Sequence, residues 1–580
     1  METKRWLERF EQALPRDEAA LRGLFRDDGH WRDALALTWS IRTLSGAAAL
    51  VPELRRLALA AKACDFRLDA ARTPPRRVKR AGAEVLEAFF TFRTATGRGN
   101  GVLRLDDEGK AWTLLTALDA IDGHEEHVGK ARPKGESYSR DFRGPNWLDQ
   151  RLAAARYDDR EPAVLVVGGG HAGLSIAARL TQLGVDTLVV DRWPRIGDNW
   201  RQRYHALTLH NQVQVNHLPY LPFPPNFPTY IPKDKLANWF EHYVEALEIN
   251  YWPATEFEGG EHDGERWHLR LNRAGARREL RPKHVVLATG VSGIPVIPEL
   301  PGLREYGGTV LHSSQYDDGA RWAGKRALVI GTGNSGHDIA QDLHSAGCTV
   351  TMVQRNATLI TNIEPSAQLA YALYDEGPPT EDCDLITVSV PLPLLRKAHQ
   401  AHTARSKELD RPLLEALARI GFKLDDGRDA TGWQFLYLER GGGYYFNVGC
   451  SDLLVEGKIG LVQYSDVDRF VGEGARLRDG RVLPADLVVL ATGYLGQQAL
   501  VKKLFGEDMA ARVGPIWGFG EDQELRNMFR RTAQPGLWFI AGSLAQCRIY
   551  SKYLAQQILA QELGMLPQPA KAGNVSRETA

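Results

Sequence analysis

The chain has 580 residues, 43% hydrophobic and 25% charged, a globular composition too long for one ordinary core, so two to four domains are expected. Its 72 Lys and Arg balance 72 Asp and Glu, leaving no basic surplus for a nucleic-acid partner. Cys64, Cys348, Cys383, Cys450 and Cys547 form no C-x-x-C pair, which speaks against a disulfide scaffold, a zinc site and a dithiol redox centre. The charged opening Met1-Glu2-Thr3-Lys4-Arg5 lacks a signal core, and no apolar run approaches the ~20 residues that span a bilayer. A reducing cytoplasm without a membrane partner is the expectation.

Residues 1–145 read as a small α+β domain. Helical spacing covers Trp31–Ser45 and Leu50–Ala63, and strand-like stretches follow at Val85–Arg93, Gly101–Leu105 and Ala111–Leu118. Gly97–Gly101 reads as a turn between two of them. Asp27, Asp28, His30, His124 and His127 present no third ligand at metal spacing, so no metal is expected. A Pro/Gly/Arg-rich stretch, Arg132–Pro145, reads as a linker into a helix near Trp147–Arg156.

From Ala163 onward strand, glycine turn and helix alternate, and the pattern begins again at Arg326, as in a parallel α/β architecture built twice. Residues 146–310 are read as the first part of one dinucleotide-binding domain and 311–475 as a second. An irregular insertion over 364–445 interrupts the second, and 476–580 returns to the first with a C-terminal helix. Leu537–Ser543 reads as a strand leading to a helix over Tyr550–Leu563.

The first fingerprint, Gly168-Gly169-Gly170-His171-Ala172-Gly173, follows the apolar strand Ala163–Val167 and opens a helix. Glycines there allow a tight turn and a close backbone approach to a pyrophosphate at the helix N-terminus. The next strand, Thr187–Val190, ends in Asp191-Arg192, the acid standing 23 positions after Gly168, close to the spacing of a ribose-binding carboxylate. The second fingerprint is Gly331-Thr332-Gly333-Asn334-Ser335-Gly336, and its following strand ends in Gln354-Arg355 with no acid. An acid there would repel a 2′-phosphate, whereas Arg355 can pair with it. FAD in the first cradle and NADPH in the second is the simplest assignment. Each unit also carries a strand ending in Ala-Thr-Gly, at Gly290 and at Thr492-Gly493.

At this point the residues resemble the flavin-containing monooxygenases, a class B flavoprotein monooxygenase family, and within it bacterial relatives of the YUCCA enzymes. The marker is Tyr306-Gly307-Gly308-Thr309-Val310-Leu311-His312-Ser313-Ser314-Gln315-Tyr316, matching F-x-G-x-x-x-H-x-x-x-Y/F except at Tyr306. Gly197-Asp198-Asn199-Trp200-Arg201 looks like the family's FAD-lining G-G-x-W-R, with Asp198 for the second Gly. The resemblance covers roughly residues 160 to 565. Outside it, the N-terminal part looks like an NTF2/SnoaL-like unit.

The resemblance implies an FAD-dependent, NADPH-consuming monooxygenase that forms a C4a-hydroperoxyflavin and oxygenates a small organic substrate with O₂, at a soft N or S atom. A Baeyer–Villiger or YUCCA-like reaction on a ketone or 2-oxo acid is the alternative. It also implies that Asn211, with His210 beside it, faces the flavin, and that His312 couples the two nucleotide domains. The additional N-terminal unit is compatible with a homodimer.

Overall fold

The computed structural model describes residues 2–134 and 142–566, so part of the expected linker lies outside the described residues. Two parallel sheets organise the chain after residue 160. In the first, the strands Asn250–Trp252, Thr187–Val190, Val164–Val167, His284–Leu287 and Leu537–Phe539 lie side by side in that order. In the second the order is Thr309–His312, Leu487–Leu490, Arg326–Ile330, Thr349–Gln354 and Gly460–Gln463. Every pairing in both sheets is parallel. Strands such as Val164–Val167 and Leu487–Leu490 are apolar throughout because helices cover both faces of a parallel sheet. The doubly wound α/β class expected from the alternation is the observed one. One boundary moves. Leu487–Leu490, expected in the returning part of the first domain, hydrogen-bonds to Arg326–Ile330 and Thr309–His312, so the chain returns to the first unit after residue 490 rather than at 476.

The N-terminal part is an α+β unit: a seven-stranded sheet with helices Glu2–Arg16, Glu18–Arg22 and Ala47–Ala60. Two expectations for it fail. Trp31–Ser45 is not a helix but parts of strands Phe25–Ala34 and Ile41–Ser45, which pair with each other. The apolar spacing there fits either period, and parallel pairing of Phe25–Ala34 with Ala111–Ile121 decides for the strand. Gly97–Gly101 is not a turn but the start of strand Gly97–Leu105. A Cβ on Gly99 would meet the Phe92 ring at 2.2 Å and one on Gly101 the Phe90 ring at 2.3 Å, so the glycines leave room for aromatic rings of the neighbouring strand.

The insertion over 364–445 is helical rather than irregular: after a 3₁₀ segment Ala367–Asp375 come helices Thr380–Val388, Leu392–Leu409, Arg411–Arg419 and Gly432–Arg440. Its prolines do not break these helices: Pro379 and Pro391 stand just before helices and Pro393 and Pro412 in first turns, where a missing N–H costs nothing. The C-terminal helix starts at Leu544, six residues earlier than expected, because Ser543 and Gln546 form a reciprocal capping box.

The N-terminal sheet docks on the rest of the chain through buried and half-buried polar pairs. Arg32 grips Glu524 with two hydrogen bonds of 2.6 and 3.0 Å, Arg72 pairs with Asp382 at 2.6 Å, and Lys552 with Asp119 at 2.8 Å.

Candidate active site

The two glycine loops are built alike. Gly168 has φ +107, and a Cβ on it would stand 2.7 Å from the Ala288 carbonyl oxygen; Gly331 has φ +116 and the Ala491 oxygen at 2.3 Å. A Cβ on Gly173 would lie 1.9 Å from the Gly168 oxygen, and one on Gly336 would lie 2.2 Å from the Gly331 oxygen. Only glycine satisfies both the positive φ and the close crossing. The repeated Ala-Thr-Gly thus explains itself: its alanine carbonyl packs under the first glycine of the loop. Gly290 and Gly493 beside it, at φ +73 and +84, have nothing within 4 Å of a Cβ.

Helix His171–Gln182 starts from Gly170 and helix Asn334–Ser345 from Gly333, neither with a side-chain cap, so the first-turn N–H groups, those of Ala172 and Ser335 among them, stand ready for an anion. Around the first loop the His171 Nδ1, Trp200 Nε1 and Thr289 Oγ1 atoms are buried without a hydrogen-bond partner among the described residues. The Asn199 amide lies 2.7 Å from where a Gly170 Cβ would be. Asp191 accepts from the backbone N–H groups of Gly169 (2.6 Å) and Trp193 (3.0 Å), which holds the loop to the second strand. Burial raises the Asp191 pKa. Glycines that admit a backbone approach, unsatisfied polar atoms and a carboxylate at the strand tip fit FAD. Arg192 is exposed over the Trp193 ring.

The second cradle fits NADPH. Gln354 is buried and bonded to the Lys423 backbone on both sides, while Arg355 beside it is exposed with no acid paired to it among the described residues. The Asn334 side chain accepts from the Phe446 N–H at 3.1 Å, tying the short strand Tyr444–Asn447 that closes the insertion to the loop. Thr492 donates to the Val296 carbonyl at 2.6 Å, a bond between backbone segments rather than toward a ligand.

His312 is buried, with Nε2 3.2 Å from the Gly493 carbonyl and Nδ1 accepting from the Ser314 N–H at 3.1 Å. One proton on Nε2 satisfies both, and burial pushes the ring's pKa down, so it is a neutral brace within the second unit, joining the end of strand Thr309–His312 to the end of Leu487–Leu490, rather than a contact between the two nucleotide domains. Asn211 and His210 point to different neighbours. The Asn211 amide donates to the Tyr371 hydroxyl at 3.2 Å while its Oδ1 is buried and unpartnered among the described residues. The His210 ring packs edge-on against Phe446 at 4.8 Å, and burial pushes it down to about 4, so it is neutral near pH 7.

A cavity of about 360 Å³ reaches Tyr371, the partner of Asn211, while neither Asn211 nor His210 lines it. Tyr371 forms one wall, Ser543 and Gln546 at the start of the C-terminal helix another, and Leu395, Ala398 and Leu438 of the insertion contribute apolar surface. The first cradle lies close by, because His171 Nε2 is 2.8 Å from the Gly542 carbonyl, one residue before that helix's cap. The remaining wall comes from the N-terminal sheet: Arg32, Arg80, Arg104 and Trp112. Volume and mixed lining are those of a small-molecule site. Tyr371 and the N-terminal wall escaped the sequence reading. No periodicity marks Tyr371 within the insertion, and no motif joins the N-terminal sheet to a pocket so distant along the chain.

Comparison with known proteins follows the same outline. The profile of the pyridine nucleotide-disulphide oxidoreductase family matches residues 165–374. Indole-3-pyruvate monooxygenase YUCCA1 of Oryza sativa subsp. japonica is 31% identical over 354 residues, 60% of this chain and 80% of its own. Probable indole-3-pyruvate monooxygenase YUCCA3 of Arabidopsis thaliana is 30% identical, over 57% of this chain and 72% of its own. Among solved structures, a cyclohexanone monooxygenase mutant from Rhodococcus sp. Phi1 bound to NADP⁺ superposes with a TM-score of 0.50 at 15% identity, covering 70% of this chain and 86% of that one. An oxidized steroid monooxygenase bound to NADP gives 0.50 at 18% identity with the same coverage, 70% and 86%. These two share the fold. With two cradles of matched build and these indole-3-pyruvate monooxygenase relatives, the chain belongs to the flavin-dependent monooxygenases, in the branch that holds the indole-3-pyruvate monooxygenases.

Proposed function

We propose that the cavity bounded by Tyr371, Ser543 and Gln546 is where a small organic substrate with an apolar body is oxygenated at a soft N or S atom. The enzyme is an NADPH- and FAD-dependent monooxygenase, and O₂ is its co-substrate. Bound FAD, reduced by NADPH, supplies the oxygen-transfer chemistry. The chain's own residues bind, orient and exclude water. The Gly168–Gly173 loop would hold the FAD pyrophosphate and Asp191 the ribose; Arg355 would hold the NADPH 2′-phosphate. Asn211 presents an amide whose oxygen is unsatisfied, so it can accept a hydrogen bond from a bound group, with Tyr371 fixing its orientation. His312 braces the strand end at Gly493 and moves no proton. The carrying observation is Tyr371, which lines the cavity beside Ser543 and Gln546 and accepts a hydrogen bond from Asn211 behind it.

A second reading, oxygenation of a 2-oxo acid or ketone, is favoured by the relatives, which are named as indole-3-pyruvate monooxygenases. NADPH and O₂ consumption with sulfides, amines, ketones and 2-oxo acids, followed by product mass, separates the two. Turnover of sulfides or amines supports the first reading; turnover confined to 2-oxo acids or ketones replaces it with the second. We also read the N-terminal unit as NTF2-like, on its three helices packed against one mixed sheet, and place the reaction in a reducing cytoplasm, on five free cysteines.

A further inference from the structure

Five residues that line the cavity each carry a buried polar atom with no hydrogen-bond partner among the described residues: Arg104 Nη2, Trp112 Nε1, His402 Nδ1, Gln434 Oε1 and Gln523 Oε1. Buried polar groups are ordinarily paired, so five orphans around one cavity mark an unmet demand for a polar ligand. Two of them, both N–H donors, come from the N-terminal sheet. Arg104 is 2% exposed and Trp112 3%.

The charges at this end do not cancel. Arg76, Arg80 and Arg104 converge on two carboxylates: Glu87, reached at 3.0, 2.9 and 2.9 Å, and Glu376, reached by Arg76 at 3.1 Å and Arg80 at 2.7 Å. Three cations face two anions, and Lys79 adds a further ammonium to the lining. Arg104 uses Nε on Glu87 and Nη1 on Thr113, which leaves Nη2 as the spare donor of an already oriented guanidinium. The far wall, by contrast, is apolar insertion surface such as Leu395 and Ala398.

We infer that the N-terminal sheet is the substrate-selecting wall of the oxygenation cavity, with Arg104 and Trp112 binding an anionic oxygen group of a substrate whose apolar body runs toward Tyr371. This rests on the cavity being the oxygenation site. It assigns a part in substrate choice to a unit that lies outside the region shared with the two nucleotide cradles. Arg104 touches the substrate's remote end, away from the reacting atom, and so governs affinity and selectivity.

The test uses the flavin-loaded, full-length enzyme and two probes of one shape, 4-phenylbutyrate and its neutral amide, titrated while the flavin absorbance is followed. The acid should bind at least about tenfold more tightly than the amide, the span of a charge-assisted hydrogen bond. Arg104→Met should erase that preference while leaving amide binding within about twofold; Glu87 keeps Arg76 and Arg80 in this variant. Trp112→Phe, which removes only an N–H, should weaken the acid by about threefold and serves if Arg104→Met does not fold. An acid and an amide that bind alike in the wild type, or a preference that survives these changes, overturns the inference. Bleaching of the flavin by NADPH is read in the same samples. Its loss in the wild type defeats the oxygenase reading instead, whereas normal bleaching without acid preference defeats the anion subsite alone.

Discussion

At Gly170 the backbone sits at φ −81, a value open to every residue, so a valine there changes the cradle without straining the chain. Its side chain would stand against the Asn199 amide and occupy the approach to the helix N-terminus. Gly170→Val should therefore purify with unchanged far-UV circular dichroism but without the oxidised-flavin band near about 450 nm. A yellow, active variant would remove this loop from the FAD site. Arg355 offers the complementary test at the second cradle. It is exposed and carries no ion pair among the described residues, so truncation costs the fold little. Arg355→Ala should weaken NADPH by about 1–3 kcal/mol and NADH hardly at all, read as the ratio of their KM values. Equal losses for both coenzymes would take Arg355 out of the 2′-phosphate site.

Single helices hold the cavity together. Arg548 of the C-terminal helix is 5% exposed; it donates to Asp384 at 2.8 and 2.6 Å and to the carbonyls of Val215 (2.7 Å) and His217 (2.8 Å). One guanidinium thus clamps the insertion helix Thr380–Val388 and the loop after Asn211 to the helix that starts beside the first cradle. Arg548→Met leaves the Asp384 carboxylate to the Tyr374 hydroxyl alone. Removing one partner of a buried pair should cost about 3 kcal/mol, read as a lower thermal midpoint, and should raise hydrogen peroxide released per NADPH as water gains access. Such clamps were not legible in the sequence, whereas the cradles were. Gly173 and Gly336 are fixed by steric need within six residues and Gly168 and Gly331 by their positive φ, so the spacing alone carries the turn. Arg548 meets Asp384 across 164 positions, and no local period records that meeting. Gly99 and Gly101 misled for a related reason: a glycine's reason for being can lie on the neighbouring strand, here in Phe92 and Phe90.

Over the whole molecule the N-terminal unit turns one face of its sheet inward and another to the oxygenase. Trp6, Phe10, Phe25, Phe66, Phe90 and Phe92 pack on one another in its own core, leaving the opposite face, with Arg32 and Arg104, to close the cavity. One carboxylate stands on the inner side. Asp33 is fully buried and accepts from the Thr116 and Thr38 hydroxyls and from the N–H groups of Leu37 and Thr38. Burial raises its pKa to about 6 although those hydrogen bonds pull the other way. An unfolded Asp titrates near ~4, so between about pH 4 and 6 the folded state holds the proton that the unfolded state has released. Stability from this group is therefore greatest below ~4 and falls as pH rises, the full cost being reached above about 6. Two pKa units correspond to about 3 kcal/mol. Asp33→Asn cannot ionise. Its thermal midpoint, followed by tryptophan fluorescence, should lie furthest below the wild type's at pH 4 and close on it by pH 7. A gap that stays constant across that range would show that Asp33 keeps one charge state throughout.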